Sequence, residues 1–183
     1  MTDPLERDLP RQHPQAMEAY RFSPEQDPVE HLPVRQLAQI FFETGMVGEA
    51  VRVLLQAVEA EPEAPELWSS LGWSWVHLGN YPKAMEALQR ALILKPGSLQ
   101  CIKSLALASF AVGKKESSRE YYETALSMRP GDEEALFGLG ILFISSGNLK
   151  SAYRQYEALH PLNAALAEDL YAKIVERKDL RLA

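Results

Sequence analysis

The stretch PELWSSLGWSWVHLGNYPKAMEALQRALILKPGS, residues 65–98, carries the pattern that decides the fold. Gly79 stands near its middle and Pro96 near its end. Windows of the same 34-residue length begin at His31, Leu99 and Glu133 without a gap, and the same kinds of residue recur in them. Four copies in phase predict a chain built from four structural repeats.

Five places of the repeat carry the same type of residue in nearly every copy. They hold leucine at the seventh place, a small residue at the eighth and twentieth, glycine at the fifteenth and proline at the thirty-second: Leu37, Leu71, Leu105, Leu139; Ala38, Gly72, Ala106, Gly140; Ala50, Ala84, Ser118, Ala152; Gly45, Gly79, Gly113, Gly147; Pro62, Pro96, Pro130. Glycine ends a helix because it enters the left-handed conformation cheaply, and proline ends one because it lacks an N–H. Each copy is therefore predicted to be a pair of helices joined by a short turn.

The second copy reads Trp68-x-x-Leu71-Gly72-x-x-Trp75, followed by Ala84, Leu88, Ala91 and Pro96. This pattern resembles the signature of the tetratricopeptide-repeat family, with Trp75 in place of the usual tyrosine and Leu88 in place of the usual aromatic residue. The resemblance covers residues 31 to about 160. It implies an all-α, right-handed α-α superhelical solenoid of four repeat units with a C-terminal capping helix.

The predicted organisation is an arm at 1–30, repeats at 31–64, 65–98, 99–132 and 133–163, a capping helix at 164–177 and a tail at 178–183. The arm holds five prolines, and we expect it to be extended and mobile, with Met17, Tyr20 and Phe22 able to dock onto the repeats. Leu166, Leu170 and Ile174 recur at four-residue spacing, which predicts an amphipathic helix that covers the last repeat.

Composition and charge narrow the class of function. Apolar residues make up 46% and charged residues 24% of the chain, which are ordinary values for a globular protein. The net charge of −6, with no basic patch, argues against binding to nucleic acid or to anionic membranes. The longest apolar run, residues 135–144, is too short to span a membrane, and the N-terminus lacks the apolar core of a secretion signal. We expect a cytoplasmic protein without membrane insertion.

No arrangement of residues predicts catalysis, a cofactor or a metal site. The motifs of zinc proteases, redox dithiols, nucleophilic serines and phosphate-binding loops are missing from the sequence. Gly138 and Gly140 look like half of a dinucleotide fingerprint, but they fall inside a predicted helix, where Gly140 is the small residue of the repeat. The four histidines lie in separate segments, and Cys101 occupies a packing position, which predicts a buried thiol. We therefore predict that the chain is not an enzyme.

The family resemblance also implies where a partner binds. First helices of successive repeats line a concave groove, and six places of each repeat point into it. Of the residues at these places, those predicted to offer contacts to a partner are Arg35, Gln39, Phe42, Glu66, Trp73, His77, Lys103, Leu107, Phe110, Phe137, Ile141 and Ile144. The segment 135–144 is apolar on every side and needs cover on every side, either from a partner or from the C-terminal helix.

These observations predict a protein-interaction module, an adaptor that binds a peptide or helix of a partner protein in an apolar, aromatic-lined groove. Two alternatives remain. One is a dedicated chaperone similar to small bacterial secretion-system tetratricopeptide chaperones; the other is a self-assembling scaffold in which the arm of one molecule fills the groove of the next. A clamp for the C-terminal carboxylates of heat-shock chaperones is rejected, because neither frame of the repeats carries the positive charge that it needs. The clamp places hold Arg35, Gln39, Ser70, Gln100 and Ser104 in one frame, and Ser69, Trp73, Ser104, Glu134 and Gly138 in the other.

Overall fold

A computed structural model describes residues 31–179. Within that range it consists of nine α-helices and no strand: α1 (His31–Glu43), α2 (Val47–Ala60), α3 (Pro65–His77), α4 (Tyr81–Leu94), α5 (Leu99–Ala111), α6 (Lys115–Met128), α7 (Glu133–Ser145), α8 (Leu149–Leu159) and α9 (Ala164–Asp179). The predicted all-helical repeat fold is confirmed for this range. The predicted arm, 1–30, and the last four residues of the tail lie outside the described residues.

The fifteenth-place glycines end the first helix of every repeat. In the second repeat Gly79 has φ of +71°, the left-handed conformation that favours glycine. Its N–H donates to the carbonyl of Val76 at 3.0 Å, and the N–H of Asn80 donates to the carbonyl of Trp75 at 2.9 Å. These two bonds form a Schellman motif, which satisfies the last carbonyls of α3 and turns the chain into α4.

The chain divides into two compact units, of which the first ends at Lys95 and the second begins at Pro96. In the first unit α1 packs against α2 and α3, α2 against α3, and α3 against α4. Leu37, Leu54, Leu67 and Leu71 lie in its core, each at most 4% exposed. The seventh-place leucines of the first two repeats are therefore core residues, as their recurrence suggests.

In the second unit α5 packs against α6 and α7, and α9 packs against both α7 and α8. The buried face of α9 consists of Ala167, Leu170 and Ile174, each 0% exposed. The helix begins where the sequence predicted and ends at Asp179, two residues later than predicted. Asn163 sets its start, because Oδ1 accepts from the N–H of Leu166 at 3.0 Å, as an N-terminal cap does.

Two glycines of α7 are required by helix packing. A Cβ atom at Gly138 would collide with the ring of Tyr122 on α6, and one at Gly140 would lie 2.7 Å from Cδ2 of Leu170 on α9. Each of these two contacts would be shorter than any ordinary contact between two carbon atoms. The two glycines thus allow α6 and α9 to approach α7 closely, and both lie within a helix, as predicted.

We expect Gly138→Ala to lower the free energy of unfolding by about 1–3 kcal/mol, because the added methyl must displace a buried tyrosine ring. Gly48→Ala in α2 is the matched control, since no atom lies within 4 Å of a Cβ there and alanine favours helices. That variant should be unchanged or slightly stabilised. Urea denaturation measures both, and equal stabilities of the two variants would contradict the close approach of α6 to α7.

The capping role of α9 is a prediction that deletion can test. Removing residues 164–183 should expose apolar side chains of α7 and α8, because a repeat array is stabilised by contacts between neighbours and this end would lose one. We expect binding of a hydrophobic dye or aggregation, while amides of the first unit stay protected in hydrogen exchange. An unchanged melting temperature after the deletion would show that the helix does not cap the array.

Candidate functional site

Phe42 of α1 and Trp73 and His77 of α3 form an exposed aromatic cluster on the first unit. The rings of Phe42 and Trp73 are nearly parallel, at 18°, with centroids 6.4 Å apart. The His77 ring stands edge-on to both, 4.4 Å from Phe42 and 4.5 Å from Trp73. Trp73 is 37% exposed and Phe42 is half-buried, so part of an apolar surface with an imidazole beside it is open to solvent. The structure thus brings three of the predicted site residues together.

The three tryptophans of the chain have different environments. Trp68 and Trp75 are half-buried and pack against the core of the first unit. Trp68 Nε1 also donates to the carbonyl of Pro62 at 2.8 Å, and the Lys83 ammonium stands 4.6 Å from the centre of the Trp75 ring. Both rings therefore have contacts within the unit that keep them in place. Trp73 is the most exposed of the three, on the face of α3 opposite the core leucines.

A charged group lies on the same unit and consists of Arg35, Glu66 and Lys95. The Lys95 ammonium donates to the Glu66 carboxylate at 2.9 Å. This hydrogen bond lowers the pKa of Glu66, partial burial opposes the change, and the positive charges of Lys95 and Arg35 lower the pKa further. Two cations near one carboxylate give the group a net positive charge.

Helix geometry sets the distance between the charged group and the aromatic cluster. Arg35 precedes Phe42 by seven residues in α1, and Glu66 precedes Trp73 by seven residues in α3. Seven residues are close to two full turns, so each pair lies on one face of its helix, about 10 Å apart along the axis. Because α1 packs against α3, the two pairs lie side by side on the unit. Gln39, also predicted for the site, lies between Arg35 and Phe42 in α1 and donates to Glu43 at 2.9 Å.

In the second unit Lys103 of α5 is bound by two carboxylates. Its ammonium lies 3.2 Å from Asp132 and 2.6 Å from Glu134, and its side chain is only 12% exposed. Burial would lower the pKa of Lys103, but the hydrogen bonds that its ammonium donates to Glu134 and Asp132 outweigh this effect and raise the pKa. The ion pairs therefore persist through neutral pH, and their stabilisation is lost only as pH rises beyond the ordinary lysine range.

Asp132 has a second task at the start of α7. It is 5% exposed, and its Oδ1 accepts from the N–H of Ala135 at 3.0 Å, so it caps the helix. Lys103 thus connects α5 to the capped start of α7. This part of the predicted groove has a structural role, and partner contact by Lys103 stays a prediction.

The apolar site residues of the second unit differ in exposure. Leu107 is 41% exposed, and Phe110, one turn further along α5, is half-buried. Phe137, Ile141 and Ile144 of α7 are also half-buried and pack against a core that contains Leu170 and Ile174 of α9. The C-terminal helix therefore supplies part of the cover that the apolar segment 135–144 requires.

Two features escaped the sequence analysis. The contact of Lys95 with Glu66 joins residues 29 positions apart, and only their recurring places in the repeat could have suggested it. Tyr153 and Tyr156 of α8 also meet Tyr171 of α9, with ring centroids 6.0 and 5.3 Å apart. The spacing of the first two tyrosines places them on one side of α8, but their partner depends on how α9 packs.

Cys101 is 1% exposed, as its packing position predicted. Among the side chains that the structure describes, no three His, Cys, Asp or Glu residues are grouped closely enough to hold a metal ion. None of the helices between residues 31 and 179 combines the length and apolarity needed to cross a membrane.

Asp132→Ala tests how much the ion pairs add to the helix cap. We expect a loss of about 1–3 kcal/mol in the free energy of unfolding, because the variant removes both a cap and a carboxylate partner of Lys103. Ser98→Ala is the matched control: Ser98 caps α5 through the N–H of Cys101 at 3.4 Å. Urea denaturation compares the two. Equal losses would contradict a stabilising contribution from the ion pairs.

Residues 35–98 and 104–169, together more than half of the chain, match a family model described as tetratricopeptide repeat. No curated protein sequence matches the chain. Many solved structures do match, among them three whose sequences are 17%, 19% and 22% identical to this chain.

A MamA structure from Desulfovibrio magneticus RS-1 is 17% identical, with 82% of this chain and 96% of that chain covered and a TM-score of 0.66. YrrB, described as a TPR protein with an unusual peptide-binding site, is 19% identical, with 90% and 89% covered and a TM-score of 0.67. The first TPR of Spaghetti (RPAP3), bound to an HSP90 peptide, is 22% identical, with 63% and 92% covered and a TM-score of 0.61. Likeness at these identities establishes the fold.

Proposed function

The chain belongs to the tetratricopeptide-repeat family, and from this premise we propose that it is an adaptor that binds a peptide or helix of a partner protein without catalysing a reaction. The tetratricopeptide fold is one that supports protein–protein interaction. YrrB is described as having a peptide-binding site, and the RPAP3 domain is bound to a peptide. The observation that carries the proposal for this chain is the aromatic cluster of Phe42, Trp73 and His77.

The aromatic cluster has the properties of a binding hot spot. Tryptophan buries much area on binding at little cost in side-chain entropy, and truncated tryptophans are prominent among residues that weaken complexes. Trp73 is 37% exposed and next to a second aromatic ring, so an incoming apolar side chain would remove a large apolar area from water. His77 adds a donor and an acceptor beside this area, which suit the amide groups of a peptide backbone.

We propose a separate contact surface on the second unit, formed by Leu107, which is 41% exposed, and Phe110, which is half-buried one turn further along α5. Phe137, Ile141 and Ile144 remain proposed contacts, but their packing against the core predicts that truncating them also weakens the fold. On the second unit, a partner segment would therefore gain most of its affinity from α5.

The charges disfavour one specific class of ligand. A C-terminal carboxylate clamp needs several cations available to the ligand, whereas Lys103 is already bound by Asp132 and Glu134. Arg35 and Lys95 share one carboxylate, Glu66. We therefore propose a partner segment that binds mainly through apolar side chains and not through a C-terminal carboxylate clamp. The chaperone and scaffold alternatives and the cytoplasmic location stay predictions.

The test compares binding and folding in the same variants. A partner is first identified by co-purification from the native host with mass spectrometry, and its purified form is then titrated into each variant. Trp73→Ala and Phe110→Ala should each weaken binding by about 2 kcal/mol, roughly 30-fold, with a small loss of stability. Leu71→Ala, at a residue 2% exposed, should instead lose about 2–5 kcal/mol of folding free energy.

Ile93→Ala is the matched control for loss of exposed apolar area, because Ile93 is 70% exposed on α4 and lies outside the proposed surface. It should change neither affinity nor stability. If Trp73→Ala and Phe110→Ala keep the partner but lose several kcal/mol of stability, these aromatic residues belong to the core and the binding surface lies elsewhere.

A further inference from the structure

The distance between the charged group and the aromatic cluster limits which ligands can contact both at once. The charged group, with its net positive charge, and the aromatic cluster lie two helical turns apart, about 10 Å, on the paired faces of α1 and α3. An extended peptide advances about 3.3 Å per residue, so three residues span this distance. The surface therefore fits an extended segment with an aromatic side chain and a carboxylate three residues apart.

The chain itself contains such a segment before its first described helix. Residues 22–25 read Phe22-Ser23-Pro24-Glu25, and Phe22 is the only aromatic residue of 1–30 with an acid three positions away. Pro24 favours an extended backbone at the residue before it. Residues 1–30 hold seven acidic and three basic residues, a net charge of −4, which complements the positive charged group.

The length of the connection allows this segment to reach the surface of its own unit. Glu25 precedes His31 by six residues, about 20 Å of extended chain, whereas Arg35 lies only about 6 Å along α1 from its start. Phe22 precedes His31 by nine residues, about 30 Å, and Phe42 lies about 16 Å along the helix. A segment that runs antiparallel to α1 satisfies both distances at once, and only this direction places the acid nearer the helix start.

We propose that residues 22–25 occupy this surface of their own chain, with the Phe22 ring on the aromatic cluster and the Glu25 carboxylate beside Arg35 and Lys95. A partner must then displace this internal segment before it binds. The inference rests on the proposed function, because it assigns an internal ligand to the same surface.

Tethering makes even a weak contact effective. A short flexible connection gives the segment an effective concentration on the order of 1 mM at its site. A segment whose dissociation constant is also about 1 mM would therefore occupy the surface about half of the time, too weakly to block a partner but enough to compete. Removing the Phe22 ring should then tighten partner binding by about twofold, because the binding-competent fraction of the protein rises from one half to one.

The indole N–H of Trp73 reports occupancy directly in the full chain labelled with ¹⁵N, once its resonance is assigned with Trp73→Phe. Phe22→Ala and Glu25→Lys should move this resonance in the same direction, because both release the segment. Tyr20→Ala is the matched control, because it truncates an aromatic residue two positions before Phe22. This variant should leave the Trp73 resonance unchanged. A synthetic peptide of residues 18–29 added to the Phe22→Ala chain should return the resonance toward its original position, whereas the same peptide with alanine for Phe22 should not.

Three results would overturn the inference: an unmoved resonance in Phe22→Ala, an equal movement in Tyr20→Ala, or no return on adding the peptide. A resonance that depends on protein concentration between about 10 μM and 1 mM would also overturn it, because the segment would then be occupying a second copy. Each result leaves the proposed function intact, since that depends on loss of the partner in Trp73→Ala.

Discussion

Close approach of neighbouring helices is the constraint on which the rest of this structure depends. It is visible at Gly72, where a Cβ atom would lie 2.5 Å from Cγ of Leu88, and at the twentieth place, where Ala50, Ala84, Ser118 and Ala152 are all 0% exposed. No larger side chain fits these positions without moving a helix, because protein interiors are packed to near-crystalline density. The small residues therefore fix which face of each helix enters the core and leave the opposite face available for other contacts.

The available face of α3 explains the candidate site. Leu67 and Leu71 enter the core, and the opposite side of the same helix carries Glu66, Trp73 and His77 at spacings of seven and four residues. Trp73 keeps 37% of its surface exposed within the unit, so part of its large apolar ring remains available to a ligand. The edge-on contact of His77 with Trp73 at 4.5 Å holds the surface in one arrangement and reduces the ordering that a ligand must impose.

The repeat pattern predicted most of the fold, because each element depends on residues close in sequence. The glycine turns and the start of α9 depend on residues within a few positions in sequence. The grouping of Trp73 with His77 does too, because the two residues lie four positions apart on one helix. Contacts between distant residues were not predictable in this way. Asp132 serves at once as a helix cap and as a partner of Lys103, 29 residues away, and the sequence showed only a lysine at a groove position. Gly138 could be explained only once Tyr122 was seen against it.

The central claim is that Trp73 belongs to a binding surface, and oxidative footprinting of the full chain with its purified partner tests this most directly. Hydroxyl radicals modify side chains according to their exposure, and Tyr171 on the second unit provides a reference, at 38% exposed against 37% for Trp73. We predict that saturating partner suppresses oxidation of Trp73 several-fold and leaves that of Tyr171 unchanged. Oxidation of Trp73 at the same rate with and without the partner would contradict the account.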